Sequence, residues 1–333
     1  TELTNNAQVL QYASVPTGPN FVSEVPSDSS TVTTNPFTVT KTRASVANQV
    51  TIGDLVDYQV VVTVPEGTHG TLTVSDVLDT ELVLVASPTI VTSPGLTTSS
   101  TVTLTATGFS VAFSSLVNTD TANAAPETIT LTYQTRVPNI SAAQNTDDAV
   151  NNAVSLNWTG GSASVQASTV DIEEPNLTVT ATPSPASGDA LDTITWTVRL
   201  RHASDSFDAN DVLFAMGPLD ARLENLTLVS TSGVAPTTIT SDASSINASY
   251  SVIPLGQDAF ITFSARIRAG TTIGASLTTP TLTTWTSLPG ANANERDGSG
   301  SFNDYFRNVN ATAQVTGFAV SKTRTSQATT PVG

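Results

Sequence analysis

The sequence predicts an all-β chain of tandem β-sandwich domains, and three observations carry that prediction. Thr, Ser, Val and Ala dominate while charged residues make up only 12%, a mixture that suits half-buried strands. Apolar and polar residues alternate in short runs separated by Gly-Asp, Pro-Gly and Pro-Asn pairs, which supply turn geometry, and no window sustains a helical period. Finally, a phrase near the start returns at the scale of a whole domain: "TVTKTRAS" at residues 38–45 and "AVSKTRTS" at 319–326 hold the only two lysines, Lys41 and Lys322.

The repeat sets the domain organisation. "FTVTKTRAS" from Phe37, "LTVTATPSP" from Leu177 and "FAVSKTRTS" from Phe318 align at offsets of 140 and 141 residues. Downstream, "GDLVDYQVVVTV" from Gly53 aligns with "GDALDTITWTVRL" from Gly188, and "TLTVSDVLDTEL" from Thr71 with "VLFAMGPLDARL" from Val212. "LTYQTRV" from Leu131 then aligns with "ITFSARI" from Ile261. Tyr58, Val60, Val62 and Val64 fall on one strand face, as do Ile194, Trp196, Val198 and Leu200 in the second copy. Three stretches ending in an aromatic residue, at Tyr12, Trp158 and Trp285, mark closing strands. The expected division is therefore residues 1–35 as the end of a preceding repeat, 36–175 and 176–316 as two complete repeats, and 317–333 as the first strand of a following one. Each complete repeat should form a sandwich of roughly seven to nine strands, immunoglobulin-like in general architecture.

Composition narrows the function. Twelve basic against 28 acidic residues give a net charge of −16 without any basic run, which argues against a nucleic-acid partner. With no cysteine there is neither disulfide nor thiolate metal site. No apolar run reaches the ~20 residues of a membrane span. There is no Gly-x-Ser-x-Gly elbow, phosphate-binding glycine loop or His-Glu-x-x-His pair. His69 and His202 read as loop residues without motif partners, and Glu173 and Glu174 as a solvated linker. No enzyme is expected. Six Asn-x-Ser/Thr sites, Asn139, Asn157, Asn176, Asn225, Asn247 and Asn310, are candidate glycan acceptors.

The stretches "VTKTRAS", "GDLVDYQVVVTV", "LTVSDVLDTEL" and "NNAVSLNW" resemble the immunoglobulin-like repeats of large bacterial and archaeal cell-surface proteins, including the isopeptide-forming domains of fimbrial proteins. Tyr58 to Val64 and Val74 to Leu78 match the family's strand and turn, whereas Asp79 stands where a proline is usual. The resemblance implies an extracellular or cell-surface location and a structural role as filament, stalk or surface layer. Its partners would be further repeats or other copies of the chain. The alternative is an adhesin that displays loops to a glycan or protein receptor; a third reading is an appended region of a secreted enzyme.

The resemblance also implies chemistry. In the fimbrial domains a first-strand Lys and a last-strand Asn condense to an amide beside an acid, which in this chain points to Lys41, Asn152 or Asn151, and Asp76. The reaction needs all three buried together, so that the amine becomes neutral and the carboxyl protonated. Sequence alignment places Ala181, Gly217, Thr278 and Thr279 at the corresponding places of the second repeat, so the roles are present together in one repeat and missing together in the other. Asp57 is a rival acid, aligned with Asp192. The plainer reading leaves Lys41 exposed and Asp76 capping a turn. In the loop "NERDGSGSFNDY", Glu295, Asp297, Asn303 and Asp304 are candidate Ca²⁺ ligands, with an ion pair from Arg296 to one of these carboxylates as the alternative.

Overall fold

In the computed structural model, residues 2–33, 36–44, 48–121, 125–144, 149–150, 153–204, 206–298, 305–317 and 322–323 are described. All regular structure among them is β, and no helix is long and apolar enough to cross a membrane. A two-stranded hairpin comes first, β1 (Glu2–Gln8) with β2 (Ser27–Thr33).

Domain one follows with nine principal strands. They are β3 (Thr38–Arg43), β4 (Leu55–Thr63), β5 (Leu72–Val77), β6 (Thr89–Thr92), β7 (Leu96–Thr105), β8 (Gly108–Asn118), β9 (Thr128–Arg136), β10 (Ala153–Trp158) and β11 (Gly161–Gln166). One sheet runs β3-β4-β9-β6 and the other β7-β8-β5-β10-β11. The alternation read from the sequence is the reason the sheets can face each other: Tyr58, Val60 and Val62 of β4 and Leu131 and Tyr133 of β9 point inward, against Val74, Phe109, Val111 and Leu156.

Domain two has the same number of principal strands. They are β12 (Leu177–Ser184), β13 (Thr193–His202), β14 (Ala209–Met216), β15 (Leu223–Gly233), β16 (Thr238–Ser241), β17 (Ile246–Ile253), β18 (Asp258–Ile267), β19 (Ser276–Thr286) and β20 (Phe306–Val315). Its sheets run β12-β13-β18-β15 and β16-β17-β14-β19-β20, strand for strand the order of domain one. A separate apolar core fills each sandwich.

Pairing corrects the sequence alignment in one segment. Tyr58 lies opposite Tyr133, and Trp196 opposite Phe263; Tyr58 therefore corresponds to Trp196, and not to Ile194. The turn before each strand shows why the slip occurred. Asp54 accepts from the amide of Thr51, and Asp192 does the same for Asp189, so these two acids correspond. The residue ahead of each has positive φ, 94° at Gly53 and 77° at Leu191. A leucine at a position that favours glycine hid the equivalence, and Gly188 offered a false match.

Candidate functional site

Lys41 lies at the inward-facing centre of β3, opposite Val60 on β4, and Asp76 follows Leu72 and Val74 on the inward face of β5. Since β3 and β5 belong to facing sheets, contact between these side chains joins the sheets through the core. Lys41 Nζ donates to Asp76 Oδ2 at 2.7 Å, and both side chains are fully buried. That removes the exposed-lysine reading.

Two tyrosines enclose the pair. Tyr58 and Tyr133 stack at 5.5 Å, with Lys41 Nζ 4.9 Å from the first ring centre and 5.6 Å from the second. The Tyr133 hydroxyl donates to the same Asp76 oxygen that receives the lysine, while the other oxygen, Oδ1, is buried without a hydrogen-bond partner among the described residues. Sequence reasoning did not single out these tyrosines. A signal existed, because Tyr133 aligns with Phe263, so the hydroxyl disappears in the same repeat that lacks the lysine.

Burial dominates the electrostatics. It lowers the Lys41 amine to about 8, against the opposing pull of Asp76, and it raises the Asp76 carboxyl, against the opposing charge of Lys41 and the hydrogen bonds from Lys41 and Tyr133. Both shifts favour the neutral pair. A neutral amine is a nucleophile and a protonated carboxyl is a general acid, so the pair can attack and polarise a carbonyl brought against it.

Asn151 and Asn152 lie outside the described residues. The adjacent strand is placed: Ala153 opposes Val77 and Val154 opposes Asp76. In domain two Thr281 opposes Met216 in the equivalent ladder. The counterpart of Asp76 is thus Met216, one residue before the sequence-aligned Gly217. Two residues ahead of Thr281, Thr279 is buried and its hydroxyl accepts from the Asp220 amide.

Domain two fills the same position without ions. Ala181 opposes Val198, Met216 replaces the acid, and Trp196 stacks on Phe263 at 5.5 Å. The Trp196 indole donates to the carbonyl of Thr312 across the sandwich at 3.2 Å. Asp57 is set aside by orientation, since it faces outward and accepts from Gln134. Its proposed alignment with Asp192 also falls, because Asp192 is the counterpart of Asp54.

The acidic loop is organised around Arg296. Asn303 and Asp304 lie outside the described residues. Glu295 Oε1 accepts from the Asn292 amide at 3.2 Å, and Asp297 is exposed. No group of three metal-ligating His, Cys, Asp or Glu residues occurs among the described residues. Arg296 is buried and pairs with Glu174, which also accepts from the Tyr305 hydroxyl at 2.8 Å. Its remaining nitrogens donate to Asn139 Oδ1 and to the Ile140 carbonyl of domain one, both at 2.8 Å. Glu174 is consequently not a solvated linker residue; it is 3% exposed, and the arginine compensates its charge. Of the histidines, His202 differs from expectation, ending β13 buried between Ser206 and the Ile253 carbonyl, whereas His69 lies in a loop, half-buried against the Pro65 carbonyl.

No family model matches the chain, and no curated protein does. Solved structures similar to it include BspA_C_WT, with 12% identity over 75% of this chain and 92% of that one at a TM-score of 0.37. The major pilin subunit BcpA of Bacillus cereus is 11% identical over 83% of this chain and 66% of its own, at 0.35. The pilus protein RrgB from Streptococcus pneumoniae is 14% identical over 73% of this chain and 38% of its own, at 0.30. At such low scores the likeness carries no weight for function, and the all-β assignment rests on the strand ladders.

Proposed function

We propose that the chain is a structural segment of an extracellular filament, stalk or surface layer, in which successive sandwiches set length and stiffness and domain one is clamped by an amide between Lys41 and Asn152. The observation that carries this reading is the fully buried Lys41–Asp76 pair under Tyr58 and Tyr133, beside a domain of the same strand order that has Ala181 and Met216 in place of the two ions. Burying two charges is expensive, and an apolar core of similar volume is usually at least as stable. A pair kept for stability alone is poorly explained by that balance, whereas a pair kept for reaction is well explained.

The step balances as a condensation. Asp76 takes the lysine proton, leaving a neutral amine, and Nζ attacks the side-chain carbonyl carbon of the asparagine while Asp76 protonates its oxygen. As the intermediate collapses, Nζ gives up a second proton, which Nδ2 takes, the oxygen returns its proton to Asp76, the C–Nδ2 bond breaks with loss of ammonia, and an Nζ–C amide remains beside a protonated Asp76. Asn152 is preferred over Asn151 because its domain-two counterpart, Thr279, is buried.

Intact mass tests this directly. The expected value is the sequence mass less one ammonia, and digestion should yield a peptide joining the Lys41 segment to the Asn152 segment. Lys41→Ala and Asn152→Ala should each restore the full mass. An unshifted wild-type mass would remove the bond, and native material showing no repeating assembly by electron microscopy would remove the structural role.

A further inference from the structure

Each open sheet ends in two edge strands whose outer N–H and C=O groups are unpaired, and charge, proline, broken register or brevity keeps such edges from pairing with another chain. Most edges here are blunted in one of these ways. In domain one β3 carries Lys41 and Arg43, β6 has four residues, and β11 stops after six and lies against β3. In domain two β12 holds Pro183, β20 carries Arg307, β16 has four residues, and β15 carries Glu224 and loses register with β18 at two places.

Strand β7 has none of these protections along most of its length. It ends its sheet, pairing with β8 alone among the described residues, and it runs for ten residues where its counterpart by strand order, β16, runs for four. It contains neither charge nor proline. After one irregularity between Thr97 and Ser99, its register with β8 is unbroken from Ser99 to Thr105, a template of ~23 Å at the usual rise of a strand. Val102 packs on the core, Leu104 on the same face is 53% exposed at the rim, and Thr101 and Thr103 are exposed on the other face. The chain enters domain one through β3 and leaves it through β11, and these two strands lie together at the side of the sandwich remote from β7.

Charge selects the occupant. With a net charge of −16, two copies repel over much of their surface. Between Glu81 and Asp120, however, no Asp, Glu, Lys or Arg occurs; this is the longest charge-free interval of the sequence, and it contains β6, β7 and β8. A partner recognised by charge would find nothing to hold there, whereas a second β7 brings uncharged Ser, Thr and Val side chains that suit cross-strand pairs.

We propose that β7 pairs antiparallel with β7 of a second copy, about a two-fold axis at Val102. That residue is the midpoint of the unbroken stretch, so the whole stretch pairs: Val102 faces its own copy, and Thr101, Ser100 and Ser99 of one chain face Thr103, Leu104 and Thr105 of the other. The outer sheets of the two copies become one continuous sheet. Both halves of the contact are the same surface, so it closes on itself and stops at two. The pairing goes beyond the structural reading above, since it ties two stalks side by side, and it is independent of the Lys41 bond.

Sedimentation of the intact chain across a concentration series up to ~1 mM should show monomer passing to dimer and to nothing larger. The sequence has no cysteine, so Thr101→Cys and Thr103→Cys read the register directly. Under a mild oxidant, an equimolar mixture of the two should form a disulfide-linked dimer about tenfold faster than either alone, because only the mixture sets cysteine opposite cysteine. Thr103→Lys should weaken dimerisation about tenfold or more with an unchanged melting temperature, since the side chain is exposed in the single copy. Adding Thr101→Glu to it should restore the dimer, as each glutamate then faces a lysine of the other copy. A wild type that stays monomeric, cysteine variants that cross-link no faster together than apart, or a Thr103→Lys variant that associates like wild type would overturn the proposal. Native filaments seen beside a monomeric chain would leave the structural reading standing and remove only this pairing.

Discussion

Lys41 and Asp76 set mutual attraction against the loss of water around both, and the pH dependence of stability reads out which prevails. In an Asn151→Ala/Asn152→Ala variant, which cannot condense, Lys41 titrates at about 8 folded and near 10.5 unfolded. Between these values the unfolded chain binds more protons, so stability should rise with pH across that window. Asp76, raised above 3.8 by burial, acts oppositely: above 3.8 and up to its folded value the native state binds more protons, so stability should fall as pH rises there. Chemical denaturation as a function of pH should therefore show a stability minimum on the acid side of about pH 8 in this variant. If the proposed bond consumes the lysine, wild type should lack the alkaline rise, and an identical rise in both would contradict the bond. Removing the proposed bond should cost about 5 kcal/mol, the scale for releasing a closed loop of ~100 residues. The two charged residues were legible because lysine is so scarce in this sequence. Their tyrosine enclosure was not, because the rings come from β4 and β9, whose pairing no local pattern reveals.

At the level of strands, the β8 start is the most constrained point beside the site. Gly108 holds φ at 144°, and a Cβ there would lie 2.0 Å from the Asp76 carbonyl oxygen. Gly108→Ala must move β8 or β5, so it should cost about 3 kcal/mol and, by displacing Asp76, leave part of the protein at its uncondensed mass. In domain two, Trp196→Ala removes the indole that spans the sandwich and should cost ~3–5 kcal/mol; both variants can be measured by denaturant unfolding. These elements also show how far the sequence could be read. Alternation identified the strand faces correctly, since Tyr58, Val60 and Val62 are all buried. Register failed where a turn changed its chemistry, at Leu191 for Gly53, and again at Met216, where an aligned glycine one residue later drew the match away from the true counterpart of Asp76.

At the level of the whole molecule, the polar contact between the domains centres on Arg296 and Glu174, 122 residues apart in sequence. Sequence reasoning considered Arg296 with its neighbouring acids and read Glu174 as solvated, because nothing local brings them together. In the structure they lie 2% and 4% exposed at the side chain, with Arg296 also binding Asn139 and Ile140 and Glu174 binding Tyr305. Desolvation by burial, with the charge of Glu174 and the hydrogen bond to it, raises the Tyr305 hydroxyl far above its ordinary value, so it stays a donor throughout the accessible pH range. Arg296→Ala would leave Glu174 as an uncompensated buried charge, a loss of about 3–5 kcal/mol. The loss should fall on coupling more than on either sandwich, because each has its own core. Calorimetry should consequently show one cooperative transition in wild type and two in Arg296→Ala, with X-ray scattering reporting a broader range of interdomain angles. Raising the salt concentration should leave wild type unchanged, as water and ions do not reach the pair. Asp297→Ala, which alters the exposed neighbour, should behave like wild type; if it uncoupled the domains equally, the stiffness would reside in the acidic loop and not in the buried pair.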